Sequence, residues 1–164
     1  MRIRLAFAAA TAALCAGATS SLAATATGTF TSQMTITAEC KVQSASTLDF
    51  GSYGVLDLAR TASSAIGVQC TNGQGYSISL DGGNGSSGTT TTRTMEKGAE
   101  AINYTIWQNS GHSQNWGTSG AEVMTSLTGN GSVQSYPVYG VVPIQATPSA
   151  GNYTDTVTIT VTYP

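Results

Sequence analysis

The side chains able to do chemistry are few and scattered. The single histidine, His112, sits in the polar stretch "NSGHSQNWG". A nucleophilic mechanism needs a Ser, Cys or Thr held against a base, and His112 has no second histidine to work with. A lone histidine in a polar loop reads as a solvated side chain. The acidic residues Glu39, Asp49, Asp57, Asp81, Glu96, Glu100, Glu122 and Asp155 are spread along the chain. Glycoside hydrolysis needs two carboxyls facing one another across a sugar, and no spacing marks such a pair. The glycine-rich "GGNGSSG" at Gly82–Gly88 lacks the lysine and the strand-to-helix setting of a phosphate loop. Cys40 and Cys70, with no histidine or third cysteine beside them, make a poor zinc site. Glycosylation sequons at Asn84, Asn103, Asn130 and Asn152 are expected by chance in a chain so rich in Ser and Thr. The expectation is therefore a protein that is not an enzyme and uses no cofactor and no metal.

The elements around these residues point elsewhere. Arg2 and Arg4 open the chain, Leu5–Ala18 is apolar and alanine-rich, and "SLA" at Ser21–Ala23 supplies small residues. This pattern predicts a signal peptide over residues 1–23, cleaved near Ala23 or Ala24. The apolar run falls short of the roughly 20 residues a membrane span needs, so no membrane span is expected. Leu14 stands before Cys15 where a lipoprotein signal wants a small residue. Of six basic residues, removing Arg2 and Arg4 leaves four against eight acidic ones, a net charge of −4. No basic patch exists, so no nucleic acid partner is expected. Charged residues make up only 9% of the chain; the neutral Thr, Ser and Gly surface suits packing against copies of itself. In an oxidising compartment a disulfide between the two remaining cysteines is the default, with two free buried thiols as the alternative. Closing a loop of ~30 residues stabilises by roughly 3–4 kcal/mol on the chain-entropy account.

Helical periodicity is almost absent after the signal segment, and strand periodicity recurs. "TFTSQMTITAEC" alternates, with Phe30, Ser32, Met34, Ile36 and Ala38 on one side. "SSAIGVQC" and "GYSISLDGG" are short strands joined by "TNGQ", whose Asn72-Gly73 favours a tight turn. "GGNGSSGTTTT" reads as a flexible low-complexity loop. "AINYTIWQN" alternates again, and "SVQSYPVYGVVPIQA" carries prolines that confine parts of it to edges or bulges. In "DTVTITVTYP", Val157, Ile159, Val161 and Tyr163 share one face, and nothing between Thr156 and Tyr163 blunts the strand's edge. Short strands separated by turns predict a single all-β sandwich. Its interior is expected from Leu48, Phe50, Ile66, Val68, Ile78, Leu80, Tyr104, Ile106, Tyr139 and Val141. Trp107 and Trp116 remain open between core, rim and contact with another subunit.

An ordered set of stretches then carries a family resemblance: "TITAECKV", "TLDFGSY", "VQCTNGQGYSISLDGG", "INYTIWQN…NWG" and "VYGVVPIQATPSAGNYTDTVTITVTY". Together they resemble the spore coat protein U domain, the fold of subunits of archaic (Csu-type) chaperone–usher pili, over nearly all of the mature chain. The resemblance implies an incomplete immunoglobulin-like β-sandwich that lacks its last strand and is completed by donor-strand complementation. It implies a structural pilin that polymerises by donor-strand exchange. Its partners would be a periplasmic chaperone, an outer-membrane usher and other pilin subunits. The product would be a cell-surface pilus, reached by export through the periplasm, for adhesion and biofilm formation. It also pairs Cys40 with Cys70. The competing expectations are a spore-coat or envelope structural protein of the same family and a secreted carbohydrate-binding or hydrolytic sandwich.

The residues support exchange in a less specific way. A strand-like segment before the first cysteine and an unblunted strand edge suggest head-to-tail strand addition, which builds open fibres. The alternative is that the N-terminal strand folds back on its own sheet. On the first reading, residues 24–34 are a donor extension and residues 35–164 the sandwich. The donor face is Gly28, Phe30, Ser32 and Met34; the acceptor strand is Val157, Ile159, Val161 and Tyr163. Ile36 and Ala38 are expected in the sandwich's own first strand, with the boundary between Ser32 and Thr35.

Overall fold

The computed structural model describes residues 22–164, so the signal segment lies outside the described residues up to Ser21. The chain divides into two units, one ending at Thr35 and one running from Ile36 to Pro164. Residues 22–35 hold no helix or strand, and Phe30 and Met34 are 91% and 84% exposed. Alternation alone does not make a strand here, because main-chain groups join a ladder only when a neighbour accepts them. The same applies just beyond: Ile36 and Ala38, expected in the first strand, precede it and are exposed.

The second unit is a sandwich of two antiparallel sheets. The strands are β1 (Cys40–Ala45), β2 (Arg60–Cys70), β3 (Gly75–Leu80), β4 (Arg93–Lys97), β5 (Glu100–Trp107), β6 (Met124–Thr128), β7 (Val133–Val142) and β8 (Ile159–Thr162). A five-stranded sheet has the order β1-β2-β7-β5-β4, and a three-stranded sheet has the order β6-β3-β8. A single 3-10 turn at Gly120–Glu122 is the helical element among the described residues, and none there is long and apolar enough to cross a membrane. The core between the sheets is built from Ile66, Val68, Ile78, Leu80, Tyr104 and Ile106, all expected, together with Tyr76, Trp116, Val138 and Val142.

Cys40 and Cys70 sit directly opposite one another in the β1–β2 pair and form the disulfide, with Cα atoms 4.1 Å apart. Turn chemistry places Gly73 at φ 81°, and Gln74 N–H donates to the Thr71 carbonyl at 3.0 Å. The strands on either side of this turn do not pair, however. β2 lies in the larger sheet and β3 in the smaller, so the turn carries the chain across the sandwich.

Two further expectations change. Tyr139 and Val141 point away from the core, and Val138, Gly140 and Val142 fill it. The register of β7 follows from Gly140: a Cβ there would come within 2.7 Å of Leu48 Cδ2 and Phe50 Cζ, so those larger side chains occupy its place. Leu48 and Phe50 are accordingly half-buried. The loop from Gly82 to Thr92 is pinned rather than free. Asn84 N–H donates to Asp155 Oδ1 at 2.7 Å, and Ser86 donates to Glu96 Oε1 from both its N–H and its hydroxyl, at 2.6 and 2.7 Å. Trp116 resolves as core, fully buried, with Nε1 donating to the Ile78 carbonyl at 3.1 Å, whereas Trp107 is half-buried on the outer face.

An open groove between two unpaired edges

The apolar residues of the strands leave one long gap. A groove of about 840 Å³ runs between residues 45–54 on one side and residues 147–157 with Ile159 on the other. Ile66, Leu80, Ile102, Ile106, Val138 and Val142 form its floor. Leu48 and Phe50 enter from the first wall, with the Phe50 ring edge-on to Tyr104 at 5.9 Å. Among the described residues the two sides are tied at one end, where Leu56 N–H donates to Thr147 Oγ1 at 2.8 Å and Gln145 N–H to the Leu56 carbonyl at 3.3 Å, and along the rest of the gap neither wall pairs its main chain with the other. No hydrogen bond between two main-chain groups involves residues 47–55, and none involves residues 146–153. Neither wall forms a regular strand over residues 46–54 or 147–153, and Gly51 turns at φ 85°. Several main-chain N–H and C=O groups there have no main-chain partner, although Gly51 N–H is taken by Asp49 Oδ1 and Ser149 N–H by Glu100.

The second wall is held from behind. Glu96 and Thr154 exchange both main-chain hydrogen bonds, at 2.9 and 3.2 Å. The Glu100 carboxylate accepts the Ser149 N–H at 2.9 Å, the Ser149 hydroxyl, and the Tyr153 hydroxyl at 3.1 Å, with Lys97 Nζ at 3.5 Å. The Ser149 bonds, followed by Tyr153 and Lys97, hold the Glu100 carboxyl down to about 2. Asp155 accepts from the buried Tyr104 hydroxyl at 2.7 Å as well as from Asn84, tying wall, core and loop together. Burial and then Asp155 raise the Tyr104 phenol well above its ordinary value. Asp81 accepts from Thr158 N–H at 2.8 Å. Burial pushes its carboxyl up, but the Thr158 and Gly83 bonds together outweigh that and leave it below the ordinary value.

One buried charge underlies the site. Arg93 is fully buried and donates to the carbonyls of Leu80, Asp81, Thr90 and Trp116 at 2.7–3.2 Å. A guanidinium has no acceptor to leave unsatisfied, so a cage of carbonyls suits it; burial lowers its pKa first of all. Its cage fixes the end of β3, the strand to which β8 pairs. Neither Arg93 nor the Glu100–Ser149 tie shows in the sequence, because both depend on residues far apart in the chain. Among the described residues no cluster of His, Cys, Asp and Glu would hold a metal ion.

The C-terminal residues singled out by alternation divide. Val157 and Ile159 line the groove. Val161 packs half-buried on the core opposite Ile78 in the β3–β8 pair. Tyr163 lies past β8, outside the groove lining and 39% exposed. The side of β8 away from β3 is a sheet edge. Gly28, Phe30, Ser32 and Met34 are exposed in the separate N-terminal unit, and a Cβ on Gly28 would meet nothing within 4 Å. Leu48 and Phe50, read as core, belong to the groove's first wall.

A solved structure resembles this sandwich: a chain from the CsuC–CsuE chaperone–tip adhesion subunit pre-assembly complex of the archaic chaperone-usher Csu pili of Acinetobacter baumannii. It is 26% identical, with a TM-score of 0.57, over 77% of this chain and 40% of that one. This chain thus spans less than half the length of that relative. A chain from a chaperone–tip adhesin complex of CFA/I fimbriae biogenesis is 14% identical, with a TM-score of 0.40, over 77% of this chain and 42% of that one. No curated protein matches. The fold is an incomplete immunoglobulin-like β-sandwich, in keeping with the Csu pilus relative. The model of the Spore Coat Protein U domain matches residues 26–160. From the exposed N-terminal segment into β8, then, the chain belongs to the Spore Coat Protein U domain family.

Proposed function

We propose that this protein is a structural pilin subunit whose groove receives a strand from another chain. The observation that carries the reading is the groove itself: an apolar floor between two walls whose main chains, over residues 47–55 and 146–153, make no main-chain hydrogen bond to each other. An added strand would satisfy those groups and bury the floor in one step. The occupant in the fibre is the segment around Gly28–Met34 of the next copy. Phe30 and Met34 are apolar, exposed and at alternate-face spacing, and burying each contributes roughly 1.5–3 kcal/mol. Gly28 and Ser32 face the shallow parts of the groove. Val157 and Ile159 contact the incoming side chains, while Val161 supports them from the core side of β8.

Before assembly a periplasmic chaperone strand holds the groove, and an outer-membrane usher is where the exchange occurs. Residues 1–23 direct export, residues 24–34 are the donor extension and residues 35–164 the receiving domain. The fibre is displayed on the cell surface for adhesion and biofilm formation. The family and the related fold are those of structural subunits rather than enzymes. The family description also favours a second reading, a coat or envelope layer built from the same domain.

Deleting residues 24–34 tests the proposal. The truncated chain should keep its disulfide and remain folded when co-expressed with its chaperone, and negative-stain microscopy should find no fibres. Fibres formed at the full-length rate would refute exchange through this segment. Sheets or shells from the full chain, in place of fibres, would favour the coat reading.

A further inference from the structure

On the outer face of the larger sheet, Ser63, Tyr139 and Trp107 stand in one row across β2, β7 and β5, set by the registers Ser63↔Tyr139 and Trp107↔Tyr139. Paired residues share a face of a sheet, so this row is the outward phase of β7 that its core does not use. Beside it lies a hollow of about 380 Å³, lined by Thr61, Ala62, Ser63, Ser110, His112 and Tyr139. The hollow is a shallow depression open to solvent rather than an enclosed cavity.

The loop above the hollow is closed by its own hydrogen bonds. Gln108 N–H donates to the Gln114 carbonyl at 2.8 Å, His112 N–H to the Asn109 carbonyl at 3.1 Å, and Ser113 N–H to Asn109 Oδ1 at 3.0 Å. These bonds hold His112 at φ 52°, a left-handed backbone that is uncommon for any residue but glycine. Its ring sits 6.2 Å from that of Trp107. Trp107 Nε1 is already committed to Thr105 Oγ1 at 2.8 Å, which orients the indole.

The polar groups around the hollow are uncommitted. Among the described residues, the hydroxyls of Thr61, Ser63, Ser110 and Tyr139 and the ring nitrogens of His112 make no hydrogen bond to protein. By contrast, Ser86, Thr90 and Ser149, elsewhere on the surface, are each bonded to a carboxylate. No lysine, arginine, aspartate or glutamate lines the hollow. Arg60, next along β2, instead lies 4.1 Å over the Tyr53 ring.

We propose that this hollow binds a neutral saccharide. A pyranose presents an apolar C–H face and a rim of hydroxyls. It therefore needs a flat aromatic surface, here Tyr139 flanked by Trp107, and uncharged donors and acceptors around it. With no lysine or arginine in its lining, the hollow holds no fixed cation to select sialylated, sulfated or uronic sugars. One shallow site binds weakly, and a fibre repeating it at every subunit would bind a glycan-coated surface through avidity. The site lies on the opposite face of the larger sheet from the groove, so it does not rest on strand exchange.

The test is a glycan array printed with neutral hexose oligosaccharides and with sialylated and sulfated ones, probed with the full chain and with Tyr139→Ala, His112→Ala and Ser63→Gln. The last substitution fills the hollow at an exposed strand position and leaves the core untouched. Binding to at least one neutral class is expected, falling at least tenfold in Tyr139→Ala and Ser63→Gln and about threefold in His112→Ala. A common thermal midpoint would establish that the variants fold. Three results would overturn the site: no neutral glycan bound, neutral binding unchanged in Ser63→Gln, or binding confined to acidic glycans.

Discussion

Residues 28–34 and 157–163 have the same sequence grammar and different fates. Both alternate apolar and small polar residues, and both are rich in threonine. In the first, Phe30 and Met34 stand almost fully exposed and no strand forms. In the second, Val157, Ile159 and Val161 are half-buried on the core, and Ile159–Thr162 pairs with β3. The difference is a neighbour. β3 is pinned by the Arg93 cage at its Leu80 end, so it presents a fixed edge for β8. Alternation supplies a face, and a ladder partner turns that face into a strand.

The largest test of this contrast removes the support behind the paired segment. Arg93→Ala leaves its carbonyl acceptors without a donor in a buried site, which is expected to cost more than about 3 kcal/mol. Urea unfolding of the chaperone-free chain would measure it, with the midpoint falling and β8 protection lost first in hydrogen exchange. A cost below about 1 kcal/mol would mean that β8 does not depend on the cage.

A pair of smaller substitutions compares the two segments directly. Ile159→Ala should lower stability by about 2 kcal/mol, the low end for deleting a large aliphatic side chain, because the site is only half-buried. Phe30→Ala should leave stability within about 0.5 kcal/mol, as for an exposed position, while slowing fibre growth about tenfold or more. Equal destabilisation by the two would erase the distinction between a paired and an unpaired segment.

The smallest effect concerns acid. Glu100 ties down the groove wall that leads into β8, and its carboxyl is held at about 2 against an ordinary value of 4.5. A carboxyl lowered on folding contributes stability that is fully present above its unfolded value and is lost as pH falls through its folded value. The wall should therefore loosen between about pH 4.5 and 2, seen as faster exchange at Ser149 and Tyr153. Glu100→Gln should flatten that dependence, and residues 28–34 should show none in either protein. An unchanged acid profile in Glu100→Gln would assign the wall's acid response to another carboxyl.

Much of this was legible beforehand for local reasons. Strand segments in β2, β3, β5, β7 and β8 announce themselves by β-branched alternation, and the tight turn at Asn72-Gly73 by its dipeptide. The errors have physical causes. β7 carries apolar residues in both phases, and Gly140 breaks the buried phase, so Tyr139 and Val141 resemble the core. The "TNGQ" turn joins strands of different sheets because β2 finds β1 and β7 as neighbours. The loop from Gly82 to Thr92 reads as free because its anchors, Asp155 and Glu96, are supplied by other parts of the chain.

What the amino-acid sequence determined by itself was period, composition and local turns: an all-β chain poor in charge, with few groups suited to catalysis. These follow from interactions within a few residues. What only the tertiary structure decided was which face of β7 is buried, which edges stay open, where Arg93 finds its carbonyls and where the groove lies. Each of those is set by contacts between residues dozens of positions apart, for which no short stretch carries the signal.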